Sequence, residues 1–180
     1  MSEELFKEVG YTLLEQLFDG RRTVVWRARR TKDNLPVVLK FAKQRVADLR
    51  INKQLAAEYN LITSRLQNTN GVIRAVDLLK IEEESVYVLV LEDFGGSSLS
   101  NYIPIASIEG FLKFAIKVAA ALGEIHQRKI FHRDIKVRQF DSVCLIFKPG
   151  NILVTPDFSV VKLTDFGASS IFEFGSAVGK

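Results

Sequence analysis

The chain has 180 residues, of which 47% are hydrophobic and 26% are charged, and its formal net charge is +4 at pH 7. This composition is ordinary for a globular protein, and the length allows one sizeable core or two small lobes. It excludes a disordered chain and a fibrous repeat. The single cysteine, Cys144, excludes an internal disulfide, and with two histidines in the chain a Cys/His zinc site is excluded as well.

The termini and the charge pattern predict where the protein works and what it does not bind. Residues 1–4 are acidic where a secretory signal would be basic, and no run approaches the ~18 apolar residues that a membrane span needs. The pairs Arg21-Arg22 and Arg29-Arg30 lack interleaved stacking aromatics, so they do not form a nucleic-acid surface. We expect a cytoplasmic protein that binds neither membrane nor nucleic acid.

The first half of the chain is dominated by β-prone runs. Two of them flank a short loop with one glycine, Gly20, which is typical of a hairpin. In chain order, the predicted strands are Tyr11–Leu17, Thr23–Arg29, Pro36–Phe41, Val72–Asp77 with its continuation, and Val86–Glu92.

One helix is predicted between the third and fourth strands. Apolar residues recur at helical spacing from Ile51 to Leu66, and Glu58 falls in the same stripe. A carboxylate that faces a core costs several kcal/mol unless it is paired, so Glu58 requires a nearby cation or must turn outward. Lys40 is the equivalent charge at the end of the third strand. Each residue taken alone is also compatible with an ordinary surface charge.

The second half of the chain begins at Gly95-Gly96, which break the regular pattern. The segment from Phe111 to Ile125 predicts a long helix with a continuous apolar face, the core helix of a second lobe. The features that follow, in chain order, are His132-Arg133-Asp134, two short predicted strands at Ile152–Thr155 and Val160–Leu163, and Asp165-Phe166-Gly167.

Six features stand in one order along the chain. They are a glycine loop at Gly20, the strand lysine Lys40, the helix glutamate Glu58, His132-Arg133-Asp134, Asn151-Ile152-Leu153-Val154, and Asp165-Phe166-Gly167. In this order and rough spacing, the sequence resembles the protein kinase family in its eukaryotic-type serine/threonine form. Segments 71–78 and 92–99 further resemble the kinase-like module that opens large multi-sensor signalling proteins of cyanobacteria and some algae.

The resemblance implies an α+β, protein kinase-like fold. Residues 1–94 would form a five-stranded antiparallel N-lobe with one helix, followed by the hinge. Residues 95–180 would form an incomplete, mainly helical C-lobe that stops within the activation segment. Sensor or ATPase domains of the same gene product would be its further partners.

The resemblance also implies ATP and Mg²⁺ as cofactors and a protein substrate whose hydroxyl receives the γ-phosphate. The implied catalytic roles are that Lys40 holds the α- and β-phosphates, that Glu58 orients Lys40, that Asp134 accepts the proton of the substrate hydroxyl, and that Lys136 lies beside the transferring phosphate. Asn151 and Asp165 are the implied metal ligands. The pairing of Lys40 with Glu58 would account for both misplaced charges.

The adenine site is implied in the same way. Val25 and Val38 would pack against the purine, with Val38 standing where the family usually has alanine. The hinge residues Glu92 to Phe94 would bind adenine through their backbone, and Leu91 would guard the back pocket.

The phosphate loop departs from the family pattern. Of the glycines in G-x-G-x-x-G only Gly20 is kept, because Phe18 and Thr23 occupy the other positions. Glycine lets the backbone approach a phosphate closely and adopt positive φ angles. We therefore expect this loop to cradle phosphates less closely.

The second departure is an inserted segment, residues 137–148. Gln139 stands where the motif places its asparagine, and Lys148 repeats a lysine before the proline, so either Lys136 or Lys148 could be the motif lysine. A misplacement of ~1 Å can lower a rate ~100-fold. We expect the segment to bulge outward, leaving nucleotide binding largely intact and impairing transfer. The rival explanation is an artefact of the gene sequence.

Two other interpretations stay open. The chain could be a non-catalytic, ATP-binding or regulatory module, similar to a pseudokinase, in a larger signalling protein. Alternatively, the chain could be unstable on its own, because the incomplete lobe would leave the apolar face from Phe111 to Ile125 uncovered, and exposed patches of this kind promote association.

Overall fold

The computed structural model describes residues 3–43, 49–82, 85–103, 105, 107–135, 137–140, 144–147 and 149–172, with only the backbone for 137–140, 144–147 and 149. The helices are α1 (Glu3–Glu8), α2 (Leu49–Leu61) and α3 (Ile108–Gln127). The strands are β1 (Tyr11–Asp19), β2 (Thr23–Arg30), β3 (Leu35–Ala42), β4 (Ala75–Ile81), β5 (Val86–Glu92), β6 (Ser97–Ser98), β7 (Ile130–Phe131), β8 (Val137–Phe140), β9 (Cys144–Phe147), β10 (Ile152–Val154), β11 (Val161–Leu163) and β12 (Ser170–Ile171). Single helical turns occupy Ile62–Leu66, Leu99–Tyr102, Pro149–Asn151 and Phe166–Ala168.

The chain divides into two compact units. The first comprises Met1–Gln67 and Ile73–Gly95, and the second comprises Asn68–Val72 and Gly96–Lys180. In the part of the chain that the structure describes, no helix is both long enough and apolar enough to cross a lipid bilayer.

The first unit is built on a five-stranded antiparallel sheet with the strand order β1-β2-β3-β5-β4. This confirms the predicted five-stranded N-lobe. The largest difference from the predicted strand boundaries is at β4, which begins at Ala75. Val72, the predicted first residue of that strand, instead forms an isolated parallel bridge with Leu163 within the second unit.

The core of the first unit follows from the alternation of side chains along the strands. Val37, Leu39 and Phe41 of β3 are buried on one sheet face, where they pack with residues of β2 and β5. Phe6 of α1 lies on the same core with its ring centroid 4.9 Å from that of Phe41. Reasoning from the sequence missed α1, because a six-residue helix is too short to show helical periodicity and is held by the burial of Phe6.

Helix α2 confirms the predicted helix and its stripe, since Ile51, Leu55 and Glu58 are all buried. Its last predicted turn differs, because Ile62–Leu66 widens into a π-helical turn. Two hydroxyl groups bond back to the preceding turn there, with Thr63 Oγ1 donating to the Tyr59 carbonyl at 2.8 Å. Such bonds compete with the regular helix ladder, which gives a physical reason for the wider turn.

The second unit is organised around α3, which begins at the N-cap Ser107, where the Gly110 N–H donates to the Ser107 hydroxyl at 3.0 Å. One side of the helix buries Phe114, Ala121 and Ile125. Gly71 lies directly against this side, because a Cβ at Gly71 would be 2.3 Å from the Cβ of Ala121. The two predicted strands, β10 and β11, pair with each other, and β6 extends them to a three-stranded sheet.

Candidate active site

The first candidate element is an ion pair between strand and helix. Lys40 of β3 places its Nζ 2.7 Å from Oε2 of Glu58 on α2. The Glu58 side chain is 1% exposed and that of Lys40 is 11% exposed. The pair predicted from the sequence is therefore present, and it explains how a carboxylate in the apolar stripe of α2 is tolerated in the core.

The sheet register places two valines on the same face as this lysine. Val25 of β2 is the direct cross-strand partner of Lys40, and Val38 precedes Lys40 by two residues on β3. Residues in either relation share one face of a sheet. Both valines are half-buried, so this face combines an apolar surface with a cation.

The loop between β1 and β2 is a tight turn around Gly20, whose N–H donates to the Thr23 carbonyl at 3.0 Å. A Cβ at Gly20 would lie 2.4 Å from Cε1 of Phe18 and 2.9 Å from the Thr23 oxygen. Glycine is thus favoured because the backbone oxygen of Thr23 leaves no room for a Cβ, whereas the exposed ring of Phe18 could move aside. The sequence also predicts a positive φ angle for glycine in this loop, but Gly20 is not among the residues with positive φ.

The end of β5 and the residue after it carry two carboxylates, Glu92 and Asp93, and each is bound by an arginine. Arg27 Nε donates to Asp93 Oδ2 at 2.7 Å, and Arg27 also pairs with Glu15. Arg74 donates to Glu92 from its backbone N–H at 2.9 Å and from Nε at 3.0 Å. Reasoning from the sequence missed both arginines, although two adjacent acids at the end of a buried strand signal a need for cations.

The charge state of Arg27 reflects this environment. Burial alone would lower the pKa of the Arg27 guanidinium, but the hydrogen bonds and charges of Asp93 and Glu15 outweigh burial and raise this pKa above its ordinary value. Arg27 is therefore a permanent cation beside Asp93.

In the second unit, His132 connects two motifs. Its Nε2 lies 2.9 Å from the Thr164 carbonyl oxygen, and its ring is 4.6 Å from that of Phe166. The residue is 3% exposed. His132 thus joins the segment that carries Asp134 to the segment that carries Asp165.

Asn151 reaches Asp134 in spite of the residues between them. Its Nδ2 donates to Asp134 Oδ2 at 2.9 Å and to the Asp134 carbonyl at 3.0 Å. Much of the intervening segment forms an antiparallel hairpin of β8 and β9, in which Val137 pairs with Phe147. Because the two ends of a paired hairpin lie side by side, it adds length without separating the residues that flank it.

Asp165 lies at the same end of the β10–β11 pair as Asn151. Ile152 pairs with Leu163, and the Thr164 N–H donates to the Asn151 carbonyl at 3.0 Å. Asp165 has a φ of 65°, a left-handed conformation that is uncommon for a residue with a side chain and often occurs at functional sites.

The side-chain oxygens of Asn151 and Asp165 fit a hard divalent cation such as Mg²⁺, which prefers oxygen ligands. Because the amide nitrogen of Asn151 is used by Asp134, its amide oxygen is the atom left to bind a metal. Asp165 would supply a carboxylate. Among the described residues, no group of three or more His, Cys, Asp or Glu is placed to hold a metal by itself, so further oxygens would come from the bound phosphates and water.

Two predicted candidates fall outside this description. Lys136 and Lys148 are not among the described residues, so the choice between them as the motif lysine stays open.

Sequence comparison with known proteins identifies the family to which these motifs belong. The family model described as the protein kinase domain matches residues 11–178. A probable serine/threonine-protein kinase of Clostridium perfringens is 29% identical over 161 residues, and a serine/threonine-protein kinase of Arabidopsis thaliana is 30% identical over 167 residues. Each match covers 87% of this chain and, respectively, 21% and 20% of the relative.

A third relative, the carbon catabolite-derepressing protein kinase of Saccharomyces cerevisiae, is 26% identical over 170 residues, which cover 93% of this chain and 24% of that protein. The chain spans about a fifth of the length of the first curated relatives that it matches. The family implies the use of ATP, typically with Mg²⁺, and a protein substrate. The chain belongs to the protein kinase family, as a domain of the eukaryotic serine/threonine type.

Proposed function

We propose that this domain transfers the γ-phosphoryl group of ATP to a serine or threonine hydroxyl of a protein, with Mg²⁺ as the metal. In this proposal residues 1–94 act as the N-lobe and hinge, and residues 95–180 act as the C-lobe. The observation that carries the proposal is the double hydrogen bond from Asn151 to Asp134. It joins the proposed base to a proposed metal ligand across the inserted segment.

The nucleotide would be held largely by residues of the first unit. Lys40, oriented by Glu58, is proposed to bind the α- and β-phosphates as a fixed cation. Val25 and Val38 would pack against the purine, and the backbone from Glu92 to Phe94 would bind its polar edge. Gly20 would bring the loop backbone towards the phosphates.

The transfer step would use residues of the second unit. Asp165, through its carboxylate, and Asn151, through its amide oxygen, would hold Mg²⁺, which supplies neutralisation of phosphate charge when bound. The carboxylate of Asp134 would accept the proton of the substrate hydroxyl as that oxygen bonds to the γ-phosphorus and the bond to the β-phosphate oxygen breaks. Lys136 is proposed to lie beside the transferred group.

Radiolabel transfer from ATP to a generic protein substrate tests this proposal. We expect Asp134→Asn to lower the rate about 100-fold or more, because a positioned base contributes that much. Glu109→Gln is the matched control, since Glu109 is an exposed carboxylate on α3 that pairs with Lys113, and it should leave transfer unchanged. Equal activity in wild type and Asp134→Asn would overturn the proposal.

A second candidate function is that of a non-catalytic, ATP-binding regulatory module. The packing of the Phe18 ring on Gly20 favours it, because a bulky side chain at the end of β1 lies against the loop backbone that would have to approach the phosphates. Thermal stabilisation by Mg-ATP without any transfer to protein would support this function. The cytoplasmic location, the accompanying sensor or ATPase domains and the cyanobacterial or algal origin of the module stay predictions.

A further inference from the structure

Arg27 joins three parts of the first unit through one guanidinium group. Its Nε donates to Asp93 Oδ2 at 2.7 Å, and its Nη1 binds the carboxylate of Glu15 on the neighbouring strand. The Asp93 side chain is 8% exposed, whereas that of Glu15 is 60% exposed. The contact with Asp93 is therefore the better shielded of the two, and exposed pairs such as the one with Glu15 contribute little.

The carboxylate of Asp93 is also bound on its other side. Its Oδ1 accepts the backbone N–H of Gly95 at 2.9 Å, and Gly95 has a φ of 78°. One carboxylate thus fixes the chain immediately before and immediately after Phe94. The peptide groups of this short segment are the ones proposed to bind the adenine edge.

The position of Arg27 on the sheet links this segment to the purine-binding face. Arg27 is the direct cross-strand partner of Val38, and it follows Val25 by two residues on β2. All three residues therefore share the sheet face that also carries Lys40. The bond from Arg27 to Asp93 therefore connects this face to the backbone of the hinge segment.

We propose that Arg27 is a positioning residue for adenine binding, which holds the backbone of residues 93–95 against the sheet face of Val25 and Val38 through Asp93. This inference rests on the proposed function, because it assigns a role within the same nucleotide site. Arginine suits the role because its planar fork reaches two carboxylates at once, which the single ammonium group of lysine does not reproduce.

The binding test compares two ligands that differ in the adenosine moiety. We expect Arg27→Met to weaken binding of Mg-ATP about tenfold, equivalent to ~1.4 kcal/mol, and to leave binding of Mg-tripolyphosphate unchanged. Arg27→Lys should lie between wild type and Arg27→Met, and Glu15→Gln should change neither affinity by more than about twofold. Asp93→Asn added to Arg27→Met should cause little further loss, since both changes break one interaction.

Amide hydrogen exchange on the ligand-free chain gives a readout that does not depend on nucleotide. Arg27→Met should speed exchange at the Gly95 N–H, while exchange in the β3–β5 ladder stays as in wild type. Equal weakening of both ligands by Arg27→Met, or unchanged exchange at Gly95, would overturn the inference while leaving the proposed function intact. A wild-type chain that binds tripolyphosphate and ATP equally would contradict adenine binding itself, and with it both proposals.

Discussion

The two departures from the kinase pattern, at the β1–β2 turn and between Asp134 and Asn151, affect the molecule in opposite ways. The turn keeps its length, but a phenylalanine in place of a glycine puts the Phe18 ring on the backbone of Gly20. The second region gains residues 137–148, yet Asn151 still donates to Asp134 at 2.9 Å. The substitution at Phe18 changes the packing of the turn directly. The insertion does not separate Asp134 from Asn151, because the two ends of its hairpin are paired with each other.

The largest effect on phosphoryl transfer is expected from removing the contact between Asn151 and Asp134. Asn151→Ala deletes both the bonds to Asp134 and a proposed metal oxygen, so we expect phosphoryl transfer to fall about 100-fold or more. The thermal stabilisation by ATP measured without metal should change little. An Asn151→Ala chain with wild-type transfer would show that this contact is not what preserves the site.

Breaking the buried ion pair between Lys40 and Glu58 tests how much this pair contributes to the stability of the first unit. Lys40→Ala leaves the Glu58 carboxylate without this cation at 1% exposure, and loss of one partner of a buried pair costs about 3–5 kcal/mol. Urea unfolding should therefore show a lower midpoint, which Lys40→Met combined with Glu58→Leu should largely restore. A single variant as stable as wild type would contradict the assignment of this pair to the core.

Deleting residues 137–148 tests whether the pairing of the hairpin ends is sufficient to keep Asp134 and Asn151 in positions that allow transfer. The deletion joins Lys136 to Pro149 and restores the family spacing. The sequence alone predicts that the insertion impairs transfer, but because Asn151 already contacts Asp134, we expect the deletion to change the transfer rate by less than about tenfold. Gln139→Pro in the intact chain should lower the rate instead, since the fixed φ of proline does not match that of an antiparallel strand and weakens the pairing of β8 with β9. A deletion variant much faster than wild type would show that the hairpin obstructs transfer.

The smallest effect is expected at the β1–β2 turn. Phe18→Gly returns a second glycine to the loop and removes the ring from Gly20, so Mg-ATP should bind a few-fold more tightly, a change of about 0.5–1 kcal/mol. Leu14→Gly, another exposed apolar position on β1, is the matched control and should not tighten binding. Weaker binding by Phe18→Gly would show that the ring contributes to the nucleotide site.

Much of the fold was predictable because its signals are local. Apolar residues recur at alternate positions along β2 and β3, which indicates strands with one face on a core. Apolar residues recur at helical spacing in α2, which indicates a helix with one buried face. One strand boundary was predicted wrongly and one helix was missed, both for tertiary reasons. Val72 pairs with Leu163 within the second unit, and α1 exists because Phe6 completes a core built from distant strands.

The candidate site was predictable as a set of residue types, and less so as a set of contacts. The order of the motifs indicated Lys40, Glu58, Asp134 and Asp165 without any geometry. The bond from Arg27 to Asp93 was not predictable, because it joins residues 66 positions apart through strand register. No motif placed these two residues together.

The sequence by itself determined the types of element, their order and the chemistry available at each motif, because periodicity and residue type are properties of neighbouring positions. Only the tertiary structure decided which charges meet, how Asn151 returns to Asp134 across the hairpin, and why Gly20 must lack a side chain. Those outcomes depend on strand register and close packing, which relate residues that are far apart along the chain.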